Sequence, residues 1–250
     1  MAVVRTKALI LRHTTDREHD RLLTILTPTM GQLRVRARGT KKGTSKLGGS
    51  LEPLMEVDLN LADGRAIETV TGSIILQRFD KLRQDVVSMT MSQWLLELVE
   101  AVTKPEQPEH GLYDLVIARL TMLADAASRP AGQRWLMLCQ SALLILQHEG
   151  FVPPLDACAV CHRALLPEEV AYDPQQGFVH QHEAAASARK LSATTVHFFR
   201  DGTWPEHERT AWQETHGLLE QVIHHTLDRP LKSEGVLRAI VRLAKLPKTA

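Results

Sequence analysis

Two groups of residues carry chemistry by their type and spacing. Cys158-Ala-Val-Cys161 has the spacing of half a tetrahedral metal site, in which two thiolates three residues apart turn onto one ion. The remaining ligands have to come from elsewhere, and the near candidates are His162, His180, His182 and Glu183. His180-Gln-His182-Glu183 follows Gly177-Phe178-Val179, a turn and a short apolar stretch able to form a second knuckle. Cys158, Cys161, His180 and either His182 or Glu183 then make four ligands for one structural Zn2+, with no position left open for a substrate. The second group is Leu33-Arg34-Val35-Arg36-Ala37-Arg38, which alternates strictly. A strand sends successive side chains to opposite faces, so Leu33, Val35 and Ala37 turn inward. Arg34, Arg36 and Arg38 then form an outer row about 6.7 Å apart. A planar guanidinium matches phosphate oxygens, and such a row can meet successive phosphates. The following loop adds Lys41, Lys42 and Lys46 among Gly39, Gly43, Gly48 and Gly49. The alternative to a nucleic-acid contact is a solvated strand face beside a lysine-bearing loop.

Both groups need elements to hold them. Residues 3–76 read as short strands, at 8–11, 22–27, 33–38, 55–61 and 68–76, separated by turn-forming segments. Five such strands in so short a stretch suit a small barrel of the OB type. From about residue 84 the apolar period becomes helical. Met91, Leu95, Leu98, Val99 and Val102 share one stripe, as do Leu112, Leu115, Val116, Leu120 and Leu123, and then Trp135, Leu138, Ala142, Ile145 and Leu146. Gly150, Pro153 and Pro154 stop the third helix. Residues 151–190 lack a clear period, and helices resume after Ser192, around 212–227, and after Ser233. The expected fold class is α+β, an N-terminal OB-type β-barrel followed by an all-helical domain with an inserted zinc-finger-like region. The expected domains are 1–80, 84–152, 153–190 and 191–250. Cys139 lies within an apolar helix and reads as a core residue.

Composition narrows the function. The chain has 250 residues, 30 Lys and Arg, 29 Asp and Glu, and a formal charge of +1. That balance conceals an asymmetry. Residues 1–50 hold 11 basic and 3 acidic residues, and residues 51–250 hold 19 and 26. A basic head on an acidic body suggests that the head meets a polyanion. Residues 1–78 contain no Phe, Trp or Tyr, so the barrel cannot stack bases on aromatic rings as many OB folds do. Binding should therefore be led by the backbone, tolerant of sequence and steeply salt-dependent. The longest apolar-rich run, Trp135 to Leu146, is short of the roughly 20 residues of a membrane span. The N-terminal Met-Ala-Val-Val-Arg-Thr-Lys carries charge where an export signal needs apolar residues. Three cysteines without a disulfide framework suit a reducing compartment, and a cytoplasmic, nucleoid-associated protein is expected.

The same residues argue against catalysis. A zinc deaminase carries His-x-Glu ahead of its Cys pair, whereas here the His/Glu group follows it. A redox Cys-x-x-Cys expects a βαβ setting, and the chain has no phosphate-binding glycine loop and no nucleophile elbow. Asp16, Glu18 and Asp20, interleaved with Arg17 and Arg21, read as a charged hairpin tip. The competing readings are a zinc-ribbon regulator that reads a DNA sequence and a non-enzymatic scaffold. The regulator needs base-reading side chains on a helix or finger, and the Arg row sits on a strand.

The order of these features resembles the RecO recombination mediators of bacterial DNA repair. The resemblance rests on Asp20-Arg21-Leu22-Leu23, Leu26-Thr27, Gly31, and Ala37-Arg38-Gly39 leading through Lys41 and Ser45 to Leu51-Glu52-Pro53. It continues in Leu146-x-x-x-Gly150-Phe151-x-Pro153-x-Leu155-x-x-Cys158-x-x-Cys161 and in Leu231-Lys232-Ser233. It implies an OB fold, a helical domain and a zinc-finger-like insertion. It also implies binding of single- and double-stranded DNA, annealing of complementary strands, and partnership with RecR and single-stranded DNA-binding protein in loading RecA at gaps. Family members with a metal site use two Cys pairs, and His180 and Glu183 stand in this chain where the second pair would be. The resemblance suggests that the helical region takes the acidic, apolar-ended tail of single-stranded DNA-binding protein. An isolated cation beside an apolar groove suits such a tail. Arg134, beside Trp135 at the start of the third helix, is the candidate, and a helix-start surface Arg is the alternative.

Overall fold

The computed structural model describes residues 3–16, 18–41, 47–64, 67–152, 155–201, 209–227 and 229–243. Backbone contacts divide the chain into two compact units, Met1–Ser128 with Leu231–Leu237, and Arg129–Pro230 with Arg238–Ala250.

The first unit is built on five strands, β1 (Val3–Thr15), β2 (Arg21–Thr27), β3 (Gly31–Ala37), β4 (Glu56–Ala62) and β5 (Thr69–Gln77). They close into a barrel in the order β1-β2-β3-β5-β4. The OB-type barrel expected from the strand spacing is therefore present. The closure depends on β1, which is longer than its apolar stretch implies. Its first half pairs with β4 from Val3 to Leu9, and its second half pairs with β2 out to Thr15. An irregularity between Ile10 and Arg12 lets one strand serve both neighbours. Short parallel pairing of Arg36 with Thr69 and Ala37 with Val70 seals the opposite side. The interior holds Ala8, Ile10, Leu23, Ile25, Leu33, Val35, Ala37, Val57, Leu59, Leu61 and Val70. Each Leu, Ile or Val there contributes about 1.5–3 kcal/mol by leaving water. That sum fixes which face of every strand points inward.

Three helices complete this unit, α1 (Asp80–Arg83), α2 (Val86–Val102) and α3 (Leu112–Asp125). Asp85 caps α2 by accepting from the Ser88 N–H at 2.8 Å, worth about 1 kcal/mol. The stripe Met91, Leu95, Leu98, Val99 and Val102 is buried, as its period requires. Polar contacts tie these helices to the barrel. The Arg12 guanidinium meets Glu100 at 2.6 Å, Thr103 and Gln32 share a 2.5 Å hydrogen bond, and the Tyr113 hydroxyl donates to Glu56 at 2.9 Å. Glu97 accepts from the Ser233 hydroxyl at 2.5 Å and from the backbone N–H groups of Lys232 and Ser233.

The second unit begins with α4 (Ala131–His148), whose apolar residues Leu138, Ala142, Ile145 and Leu146 are buried. Gly150 at φ +77° ends it in a Schellman turn, with its N–H on Gln147 O and that of Phe151 on Leu146 O. The segment without a period contains a three-stranded sheet that sequence inspection did not separate. Its strands β6 (Val170–Asp173), β7 (Gly177–His180) and β8 (Arg189–Lys190) lie in the order β7-β6-β8. Strands of two to four residues are too short to display alternation. Helix α5 (Ala193–Asp201) and α6 (Arg209–Leu227) pack with α4, and α7 (Glu234–Leu243) follows. Among the described residues no helix is long and apolar enough to cross a membrane.

Two outcomes follow. Gly31 closes the β2–β3 hairpin at φ +67°, and a Cβ there would lie 2.3 Å from the Gln107 carbonyl oxygen. Gly31→Ala should cost at least about 2 kcal/mol, combining about 1–2 for the left-handed backbone with about 1–3 for overpacking. The check is a lower urea midpoint at unchanged slope. Burial alone would raise the Glu97 carboxyl, but the Ser233 and Lys232 donors outweigh it and hold Glu97 below its ordinary value of 4.5. A carboxyl lowered on folding stabilises above its unfolded pKa and stops doing so as pH falls through its folded pKa. Glu97→Gln should therefore lose stability at neutral pH and show a shallower fall in stability on acidification.

Candidate nucleic-acid interface and candidate metal centre

The barrel interior sets the basic row. Leu33, Val35 and Ala37 are buried, so the intervening side chains of β3 point outward. Arg34 is exposed on the outer face of β3, and Arg38 is exposed in the turn just after it. Neither forms an ion pair among the described residues. Arg36, between them, is half-buried, and its Nε donates to Asp16 Oδ2 at 2.6 Å. Its backbone N–H also donates to Glu68 O.

Asp16 lies just beyond β1, at the start of the β1–β2 tip. The tip is therefore more than a solvated charged turn. Asp20 Oδ1 accepts from the Gly39 N–H at 2.8 Å, and His19 O accepts from the Lys41 N–H at 3.2 Å. Lys41 is exposed and its Nζ donates to Thr15 Oγ1 at 2.7 Å. Lys42 and Lys46 lie outside the described residues. The signal for the tip contact is present in the strand register. Thr15 pairs with Arg21 and Arg21 with Ala37, so the residue after Thr15 falls beside the end of the row.

In the second unit, β6 and β7 form the hairpin that presents His180. Asp173 Oδ1 accepts from the backbone N–H groups of Gln175 and Gln176, which fixes the turn. The Cys158–Cys161 knuckle is closed by the Cys158 N–H on Arg163 O and the His162 N–H on Cys158 O. The Ala159 N–H donates to Phe178 O and docks the knuckle on β7. The side chains of Cys158, Cys161, His180 and Glu183 converge, with donor atoms all within 4.8 Å of one another. Cys158 Sγ lies 2.9 Å from Glu183 Oε2, Cys161 Sγ 3.4 Å from His180 Nδ1, and His180 Nδ1 3.3 Å from Glu183 Oε2. Metal bonds of about 2.0–2.3 Å place tetrahedral ligands about 3.3–3.8 Å apart, so these four residues could hold one metal ion.

Of His182 and Glu183, the turn after β7 brings Glu183 into the cluster. The Glu183 N–H donates to His180 O, which folds residue 183 back under residue 180. His182 has 75% of its side chain exposed, and although its ring lies 5.3 Å from that of His180 it does not join the converging donor atoms. His162 does not join the cluster either. Desolvation and the hydrogen bond to Glu183 push the Cys158 thiol up, but backbone N–H groups of Cys161, Val160 and His180 outweigh them and the net shift is downward. The hydrogen bond from Cys158 holds the Glu183 carboxyl below the usual carboxylate range. Cys139 is fully buried, which pushes its thiol up and suits a core residue.

Arg134 and Trp135 occupy the first turns of α4, but neither stands on the surface. They are 8% and 5% exposed. Ala131 and Gly132 are half-buried and Gln133 is exposed, but from Arg134 to Cys139 every residue of the helix is buried.

Residues 1–79 match the family described as Recombination protein O N terminal, and residues 83–235 the family described as Recombination protein O C terminal. The chain is 35% identical over 175 residues to the DNA repair protein RecO of Dehalococcoides mccartyi, covering 70% of this chain and 67% of that protein. Similarity to the same-named protein of Gloeobacter violaceus is 28% over 255 aligned residues, covering 98% and 97%. For that of Frankia casuarinae it is 31% over 241, covering 93% and 97%.

The cluster geometry predicts that cobalt(II), added under reducing conditions, produces thiolate charge-transfer absorption. Cys158→Ser and Glu183→Ala should weaken this binding at least tenfold, and His182→Ala should leave it unchanged. Equal weakening by His182→Ala would contradict the assignment.

Proposed function

The chain belongs to the RecO family of DNA repair proteins, and from that premise we propose that its barrel binds single- and double-stranded DNA through phosphates and anneals complementary strands. The observation that carries this reading is the exposure of Arg34 on the outer face of a strand whose other face is locked into the core, and of Arg38 in the turn directly after it. Arg36 and Lys41 belong to the same basic segment, and the sequence adds Lys42 and Lys46 directly after them. Phosphate contacts of this kind are independent of sequence and release counterions. The barrel strands carry no aromatic ring on which bases could stack. A strand held by its phosphates keeps its base edges free. Neutralising the backbone also reduces repulsion between two strands, so pairing proceeds without a covalent step. The protein on this reading is a mediator and not an enzyme.

Zinc is the metal that the two thiolates, imidazole and carboxylate suit best. Cys158, Cys161, His180 and Glu183 would hold it, and it would supply a structural cross-link, since four protein ligands leave no open position. RecR and single-stranded DNA-binding protein are the partners in loading RecA at gaps. The acidic segment at 84–157, with 4 basic and 9 acidic residues, is poorly suited to extend a DNA surface and is left for protein contacts. The burial of Arg134 and Trp135 means that a tail of single-stranded DNA-binding protein reaches them only if the start of α4 opens.

The test is a salt series. Each phosphate contact contributes about 0.9 to the slope of log affinity against log salt on duplex, and about 0.7 on single strands. Replacing Arg34 and Arg38 together with Ala should lower the slope by about 1.8 and 1.4 respectively, with annealing falling in parallel and the fold retained. An unchanged slope would reject the assignment.

A further inference from the structure

The middle of the basic row is already occupied. We propose that the β1–β2 tip acts as an internal phosphate mimic, with the Asp16 carboxylate seated on Arg36, and that bound polynucleotide displaces it. This inference rests on the DNA-binding reading above.

The geometry is that of a clasp with several fastenings. Arg36 Nε meets Asp16 Oδ2 at 2.6 Å, and the Asp16 N–H donates to Asp20 O at 3.1 Å. Asp20 Oδ1 then holds the Gly39 N–H, and His19 O holds the Lys41 N–H. The tip is thus attached at both ends of the segment that carries Arg36, Arg38 and Lys41. A carboxylate offers a guanidinium two acceptor oxygens, as a phosphate does. In the free protein the clasp therefore neutralises the central cation and leaves Arg34 and Arg38 exposed on either side, four residues or about 13 Å apart.

This arrangement discriminates between ligands. A lone small anion has to compete with a tethered carboxylate, whose effective concentration is in the millimolar range or above. A polynucleotide first engages Arg34 and Arg38. Its intervening phosphate then arrives beside Arg36 at a comparably high local concentration, and its negative charge crowds Asp16. The contact that stabilises the free tip becomes a like-charge opposition, and Arg36 changes partner. Asp16 thereby determines selectivity for a continuous phosphate chain over isolated anions.

The experiment measures oligonucleotide affinity by fluorescence anisotropy at one moderate salt concentration. It compares wild type, Asp16→Asn, Arg36→Ala, the double variant, and Glu18→Gln. Glu18 is the control because its side chain is 88% exposed and its recorded charged neighbour is His19. An exposed ion pair is typically worth up to about 1 kcal/mol, so Asp16→Asn should tighten binding about two- to five-fold. Inorganic phosphate should compete with the oligonucleotide more effectively in that variant than in wild type. The gain should vanish when Arg36 is also replaced, and Glu18→Gln should give a distinctly smaller gain. No gain from Asp16→Asn, a gain that survives Arg36→Ala, or an equal gain from Glu18→Gln would each overturn the proposal. Absence of any wild-type binding would instead reject the DNA-binding reading itself. Thermal midpoints of all variants separate loss of fold from loss of contact.

Discussion

A closed barrel has one interior, and β3 can turn only alternate residues into it. Leu33, Val35 and Ala37 occupy that interior, so Arg34 and Arg36 are committed to the outside. The commitment is enforced by the whole core and not by the arginines. A one-residue slip of β3 would exchange its faces and bury guanidinium groups among leucines and isoleucines, at a cost far above any gain from re-pairing. The β2–β3 hairpin at Gly31 and the parallel seal of β3 against β5 hold the register from both ends. The functional surface is in this sense the by-product of the hydrophobic core.

Much of this was legible in the sequence because it depends on local period. The five barrel strands and the stripes of α2 and α4 follow from spacing two and spacing 3.6. What was not legible depends on contacts between distant residues. The full extent of β1 is set by two different partners, and the polar runs Arg5-Thr6-Lys7 and Arg12-His13-Thr14-Thr15 on either side of its apolar centre give no sign of it. The Asp16–Arg36 pair joins residues 20 apart and appears once the three-strand register is laid out. The sheet β7-β6-β8 is made of strands too short for alternation to emerge. At the Cys/His/Glu cluster, spacing alone left His182 and Glu183 equal, and a hydrogen-bonded turn brings in the residue at i+3 and not that at i+2. Arg134 reads as a helix-start cation, whereas the burial of this apolar helix already begins at that residue.

The second unit shows the same division between pattern and long-range contact. Its knuckle is anchored by a helix that follows it by about forty residues. Arg200 on α5 donates to Leu155 O at 2.7 Å and to Leu165 O at 3.0 Å, one carbonyl on each side of the cysteine pair. A charged donor spanning two carbonyls holds the arms of the loop together, and the Ala157–Ala164 bridge continues that closure toward the cysteines. The ligand cluster is therefore positioned by α5 from one side and by β7 from the other.

On the proposed function this barrel grips the sugar-phosphate chain and leaves the bases alone. The most direct measurement is the affinity for an abasic single strand relative to a normal strand of the same length and salt. The account predicts equal affinity to within about two-fold. Base stacking contributes about 1–3 kcal/mol per base where it operates, so a loss of tenfold or more on removing the bases would contradict it.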